Sequence, residues 1–138
     1  MAEPPVAFVG TILETLSARP AVREREGLYG RRADVEHAFA RVAELLAPGG
    51  LFFLRVNSGS TEVYHRHAVV ETHDDGFTVE YQEGPKQGMA VHFYGPRELD
   101  ALTAPAFRAL CAPAEDVTRR PPPKTGSWAQ WQGVYERR

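Results

Sequence analysis

Between Asp34 and Asn57 the chain spells a helix, a sharp turn and a strand without interruption. Val35, Ala38, Phe39, Val42, Leu45 and Leu46 recur at the three-and-four spacing of one helix face, which predicts a helix over Asp34 to Ala47. Asp34 stands where an N-cap side chain would accept the first free amides. Pro48 cannot continue a helix, and Gly49 and Gly50 tolerate the backbone of a tight reversal. Leu51 to Val56 is then almost continuously apolar, the pattern of a strand covered on both faces in a parallel sheet. An α/β architecture follows.

The turn Leu46-Ala-Pro-Gly-Gly50 with its flanking helix and strand resembles the fourth helix and fifth strand of class I S-adenosylmethionine-dependent methyltransferases. His92-Phe-Tyr-Gly-Pro-Arg-Glu-Leu-Asp-Ala-Leu102, followed by Ala106-Phe-Arg-Ala-Leu110, is similar to the lead-in to that family's last helix and the strand after it. Upstream, Val6-Ala-Phe-Val-Gly10 and the residues to Leu16 look like the family's strand four and the loop behind it, although Pro5 stands where an Asp usually opens that strand. The family's sheet order is 3-2-1-4-5-7-6 with strand seven antiparallel. The resemblance implies that this chain supplies a partial Rossmann-like sheet, strands 4-5-7-6.

Missing from the sequence are the Gly-x-Gly-x-Gly loop that wraps the cofactor and the acidic residue that holds its ribose hydroxyls. After Gly10 come Thr11, Ile12 and Leu13, where close backbone approach needs further glycines. The expectation is therefore a subunit of a split methyltransferase acting on a small molecule, with S-adenosylmethionine bound mostly by a complementary half. The edge of the Val6 to Gly10 strand would carry unpaired backbone groups and receive that half, or a second copy of this chain. A catalytically inactive interaction module would have the same fold.

By position the resemblance places Gly10 and Thr11 at the methionine end of the cofactor, with Glu14 a catalytic candidate beside them. Glu14 capping the adjoining turn is the plain alternative. From Val63 to Tyr94 the pattern changes to three strand-like runs, Val63 to Thr72, Phe77 to Gln82 and Gly88 to Phe93, with Asp74-Asp-Gly76 as a hairpin turn. Such an antiparallel insertion over residues 63–94 would cap a substrate site. Within it His65 and His67 are candidate catalytic groups, two apart on an expected strand with Glu71 on the same face. Asn57, at the end of its strand, and Tyr64, Tyr94 and Trp128 are the candidate substrate-lining residues. Trp128 and Trp131 are three apart, so a regular strand sends one to the core and the other outward.

The spacing from Gly59 through His65 and His67 to Glu71 also matches the start of the metal motif of cupins, a second possibility in which these side chains bind a transition metal. The match fails beyond Glu71, and a cupin has no place for the helix before Leu51.

Phe107 to Ala112 reads as a strand holding a buried Cys111, Trp128 to Tyr135 as the last strand, and residues 118–127 as a proline-rich exposed connector. Gly95 and Pro96 open a short helix, with Pro at its first position. The 138 residues are 43% hydrophobic and 25% charged, which suits one globular domain. A net charge of -2 gives no reason to expect nucleic acid, and the local run Arg23, Arg25, Arg31 and Arg32 reads as solvated surface. One cysteine excludes an intrachain disulfide and fits a reducing cytoplasmic setting. Met1 to Pro5 lacks the regions of a signal peptide, and no run is long enough for a membrane helix.

Overall fold

The computed structural model describes residues 6–8 and 30–138. In chain order these form β1 (Val6–Phe8), α1 (Arg32–Leu45), β2 (Leu51–Asn57), β3 (His67–His73), β4 (Gly76–Tyr81), β5 (Ala90–Phe93), α2 (Pro96–Thr103), β6 (Phe107–Ala109), β7 (Ala114–Arg119) and β8 (Ser127–Arg137). The architecture is α/β with two sheets, largely antiparallel, and two helices among the described residues. Neither helix is long and apolar enough to cross a membrane.

The larger sheet has the order β1-β2-β8-β6, with β7 also on β8. Only β1 and β2 run parallel, Val6 opposite Leu51 and Phe8 opposite Phe53. β8 lies antiparallel along the whole of β2, from Leu51 opposite Glu136 to Asn57 opposite Gln130. On its other edge β8 takes β6 at Tyr135 to Arg137 and β7 at Ser127 to Gln132. Among the described residues β1 pairs with β2 alone.

Helix α1 starts earlier than the sequence suggests. Arg31 is the N-cap, and Asp34 sits in the first turn, where its Oδ2 accepts the Arg31 amide at 2.9 Å. An acid three positions after the cap satisfies a free amide as well as one at the cap, so the sequence signal was real but misplaced. Gly30 before it has φ +133°, and a Cβ there would stand 2.7 Å from Asp34 Oδ2, so only glycine fits this approach. Val35, Phe39, Val42 and Leu46 are buried, whereas Leu45 is 48% exposed because it falls off the edge of that stripe. The helix ends at Leu45, before Pro48, and the turn is tied to the sheet end: Gly49 (φ +87°) donates to Arg137 O at 2.8 Å, and Arg137 N returns a bond to Gly50 O at 2.8 Å.

β2 is fully buried on one face only. Phe52, Leu54 and Val56 are buried, Leu51, Phe53 and Asn57 are half-buried and Arg55 is exposed. On the buried face α1 and β6 both contribute: Phe39 meets Phe52 edge-on at 5.9 Å, and Phe52 meets Phe107 at 4.9 Å. Leu99 of α2 and Tyr135 of β8 complete this core. In β8 Ala129, Gly133 and Tyr135 are buried on that face and Trp131 half-buried, while Trp128 points to the other face and is 36% exposed. Trp131 is the core-facing member of the pair, its Nε1 donating to Tyr94 O at 2.9 Å.

The second sheet, β3-β4-β5, is the antiparallel element expected within residues 63–94. Its own small core is Val79, Val91 and Phe93, with Phe77 stacked on Phe93 at 5.2 Å. Asp74 and Asp75 form the β3 to β4 turn, Asp74 with φ 54°. β5 runs out beside the end of β2, where Tyr94 N donates to Asn57 O at 2.8 Å and Gly59 N to Tyr94 O at 2.9 Å. The two sheets are thereby hydrogen-bonded into one body at the carboxyl end of β2.

Three further expectations change. β3 begins at His67, not Val63, so His65 lies in the preceding bend. β7 is an exposed strand at every position, which hid it from any reading based on apolar pattern, and it takes Thr118 and Arg119 out of the proline-rich connector. β6 stops at Ala109, leaving Cys111 exposed rather than buried.

Candidate functional site

Two polar assemblies stand out, one closed and one open. The closed one begins at Gly95, the N-cap of α2, which has no side chain to offer the first amides. Asp75 of the β3 to β4 turn takes that role from outside the helix: its Oδ2 accepts Arg97 N at 3.0 Å and its Oδ1 accepts Glu98 N at 2.9 Å. Burial pushes the Asp75 carboxyl up, but those amides and the Arg97 guanidinium outweigh it and hold the group below its ordinary value. A Cβ on Gly95 would stand 2.1 Å from Asp75 Oδ1. The glycine is required by the cap.

One turn further, Glu98 is fully buried at the junction of α1, α2 and the small sheet. Its carboxylate accepts from His92 Nε2 at 2.8 Å and from Arg32 Nη1 at 3.0 Å. His92, itself 1% exposed, places Nδ1 2.7 Å from Thr78 Oγ1, and Thr78 donates to Glu71 Oε1 at 2.8 Å. Glu71 also accepts the Arg32 amide, which closes the ring of contacts. An ionised Glu71 can only accept, so the single Thr78 proton goes to it and Thr78 Oγ1 accepts from His92. The Thr78 hydroxyl thus bridges His92 Nδ1 and the Glu71 carboxylate, while His92 Nε2 faces Glu98. Burial raises the Glu71 carboxyl, yet the Arg32 amide, the Thr78 hydroxyl and the charges of Arg31 and His92 together hold it low.

Arg32 is therefore not solvated surface. Its side chain is 11% exposed and it also donates to His73. This assembly cannot take up a ligand, because Thr78, His92 and Glu98 are all shut off from solvent. What it does is clamp α1 and α2 onto the small sheet, and sequence reasoning missed it. One signal was available: Gly76, at the start of β4, where a Cβ would meet Glu98 Oε1 at 2.0 Å, marks a close approach.

The fate of the individual candidates follows from this geometry. Gly10, Thr11 and Glu14 lie outside the described residues, as do Arg23 and Arg25. Asn57 is half-buried with its carbonyl committed to Tyr94 N. Tyr94 lines no open pocket: it is 3% exposed in the main core, edge-on to His92 at 4.8 Å. Burial pushes its phenol well above the ordinary value, and Glu98 adds to that. Tyr135 behaves likewise, its buried hydroxyl lacking an aligned hydrogen-bond partner and its pKa pushed by burial up to about 12.

His65, His67 and Glu71 do not converge. A bulge between Val69 and Glu71 shifts the register, so His67 pairs with Tyr81 but Glu71 pairs with Thr78. Tyr81 and Thr78 are three apart and face opposite sides, which puts Glu71 on the face away from His67. His67 Nδ1 instead bonds His65 O at 2.8 Å. Among the described residues no three His, Cys, Asp or Glu side chains are grouped to hold a metal ion, and the small sheet is open, not a barrel. The metal-site alternative loses its ligand set.

The open assembly is where Tyr64 and His65 meet. They line a cleft of about 260 Å³ together with Tyr81, Lys86, Arg120 and Lys124. Arg120 Cζ lies 5.4 Å and Lys124 Nζ 5.6 Å from the centre of the Tyr64 ring, a cation–π arrangement. Arg120 is held from behind, donating to Thr125 O at 2.9 Å and to Glu62 O. His65 is wedged against Gly84 (φ +81°), where a Cβ would stand 2.9 Å from the ring, and edge-on to Tyr64 at 5.0 Å. Trp128 borders an adjoining groove of about 400 Å³ with Pro121 to Pro123, sharing Arg120 and Lys124 with the first. Three sequence candidates, Tyr64, His65 and Trp128, are thus gathered around one cationic loop.

No family model matches the chain, and no curated protein matches it.

Proposed function

We propose that the chain is the C-terminal half of a class I S-adenosylmethionine-dependent methyltransferase fold, working on a small molecule with a glycine-rich cofactor half docked on the outer edge of β1. The observation that supports this reading is the strand order β1-β2-β8-β6, with β1 and β2 parallel and the long β8 antiparallel between β2 and β6. That order and those directions are what strands 4-5-7-6 of the family require. The helix-to-strand turn at Pro48 to Gly50 and the helix opening at Pro96 fall where the resemblance puts them.

The described residues do not themselves cradle the cofactor. At the carboxyl end of β2, where ligands of open α/β sheets sit, Asn57 O is taken by Tyr94 N, and buried Ser58 bonds Glu115 of β7. Binding therefore falls to Gly10, Thr11 and the complementary half, and no reaction step is assigned to the described side chains. The docking surface is the outer side of β1, which has no second partner strand among the described residues and would favour strand addition.

The test is association and binding measured on the same preparations. Light scattering should find the chain associated, either with itself or with an added cofactor half. Phe8→Asp or Val9→Asp should return it to a monomer, and Lys124→Glu should not. Calorimetry on the chain alone should give no saturable S-adenosylmethionine binding. A stable monomer indifferent to both strand variants, or micromolar cofactor affinity without a second half, refutes the reading.

A further inference from the structure

We propose that the cleft of Tyr64, His65 and Tyr81, with the groove beside Trp128, binds a small anionic ligand that carries an aromatic ring, of the aryl phosphate or aryl carboxylate class. The inference does not depend on the methyltransferase reading, because it concerns binding to this chain without cofactor.

Charge is the first argument. Arg120 and Lys124 line the cleft, and among its described lining residues there is no carboxylate, in a chain whose net charge is -2. Cations gathered in one concave place repel each other, and an anion between them relieves that repulsion while gaining from all of them. The acids nearest in sequence do not line the cleft: Glu62 Oε2, on the far side of Arg120, accepts Ser127 N at 2.7 Å, and Glu83 Oε1 accepts Arg66 N at 2.9 Å.

The second argument is preorganisation. Arg120 is braced on Thr125 O and Glu62 O, and His65 is fixed between Gly84 and the Tyr64 edge, so the wall needs little ordering when a ligand arrives. The third is the composition of the remaining wall. Tyr64, His65 and Tyr81 offer ring surface in the cleft, and Trp128 with the adjoining prolines offers it in the groove, with Arg120 and Lys124 on the boundary of the two. A ligand with its anion at that boundary and its ring on the aromatic wall uses both. The cleft's 260 Å³ is near the lower limit for small-molecule sites, which suits one ring and one anionic group.

The experiment uses the full chain and three probes: phenyl phosphate, inorganic phosphate and benzylamine, followed by calorimetry and by tryptophan fluorescence. Phenyl phosphate should bind saturably below about 1 mM, inorganic phosphate at least about tenfold more weakly, and benzylamine not at all. Lys124→Glu should weaken phenyl phosphate by about tenfold or more, because it reverses a charge beside the anion. The Lys124 side chain is exposed, so thermal unfolding should confirm that this variant remains folded. Arg108→Glu on β6, outside the cleft, is the control and should leave binding unchanged. No saturation by about 10 mM, or equal loss with Arg108→Glu, overturns the site. Equal affinity for inorganic phosphate overturns the aromatic part of the assignment.

Discussion

Replacing Asp75 tests the most unusual structural device in this chain, a helix capped by a turn more than 20 residues upstream in sequence. Asp75→Ala removes acceptors from two amides of the first turn of α2, and Gly95 has no side chain to replace them. Loss of one ordinary cap costs about 1 kcal/mol, and charge-assisted bonds are roughly twice as strong as neutral ones. The Asp75 side chain is 21% exposed, so solvent screens only part of this. The expected destabilisation is about 2 kcal/mol for Asp75→Ala and about 1 kcal/mol for Asp75→Asn, which keeps one acceptor. Urea unfolding at neutral pH should show it as a midpoint lowered by about 1 M or more in the alanine variant. The pH dependence has a definite sign. A carboxyl held below its ordinary value stabilises the fold fully above about pH 4, and the contribution is lost as pH falls through the lowered value. The difference between wild type and Asp75→Ala should therefore shrink toward about pH 3, while the acid sensitivity due to Glu71, which has the same sign, persists in both. A difference under about 0.5 kcal/mol at pH 7, or one that does not change with pH, would refute the capping argument.

The remaining predictions concern the clamp behind that cap. Gly76→Ala would put a methyl 2.0 Å from Glu98 Oε1 and drive the carboxylate off His92 and Arg32, so thermal unfolding should show a loss of about 2–4 kcal/mol. Glu98→Ala leaves Arg32 Nη1 and His92 Nε2 without their shared buried acceptor, with Glu36 and Asp74 still beside the guanidinium, and should cost about 2–4 kcal/mol. Glu98→Gln, which keeps the shape and one acceptor, should cost clearly less in the same unfolding measurement, and equal losses would argue against an electrostatic role.

Much of the framework was legible because it follows from local rules. The stripe Val35, Phe39, Val42 and Leu46 forces a helix, Pro48 to Gly50 a turn, Asp74 to Gly76 a hairpin, and Gly95-Pro96 a helix start, each through backbone preferences that act within a few residues. The three-residue spacing of Trp128 and Trp131 likewise decided that they would part to opposite faces. Tertiary structure decided everything that depends on partners distant in the chain. β7 carries no buried residue, so nothing in Ala114 to Arg119 announced a strand; it exists because the edge of β8 offers it hydrogen bonds. One bulge after Val69 sent Glu71 to the face opposite His67 and dissolved the apparent His65, His67 and Glu71 motif, since a single inserted residue reverses every later side chain in a strand. Arg32 read as surface because its partners, Glu98 and His73, are 66 and 41 residues away. Periodicity records which way a side chain points, but only the folded chain determines which charges it meets, and that is why the cores were visible in the sequence and the buried clamp and the cationic cleft were not.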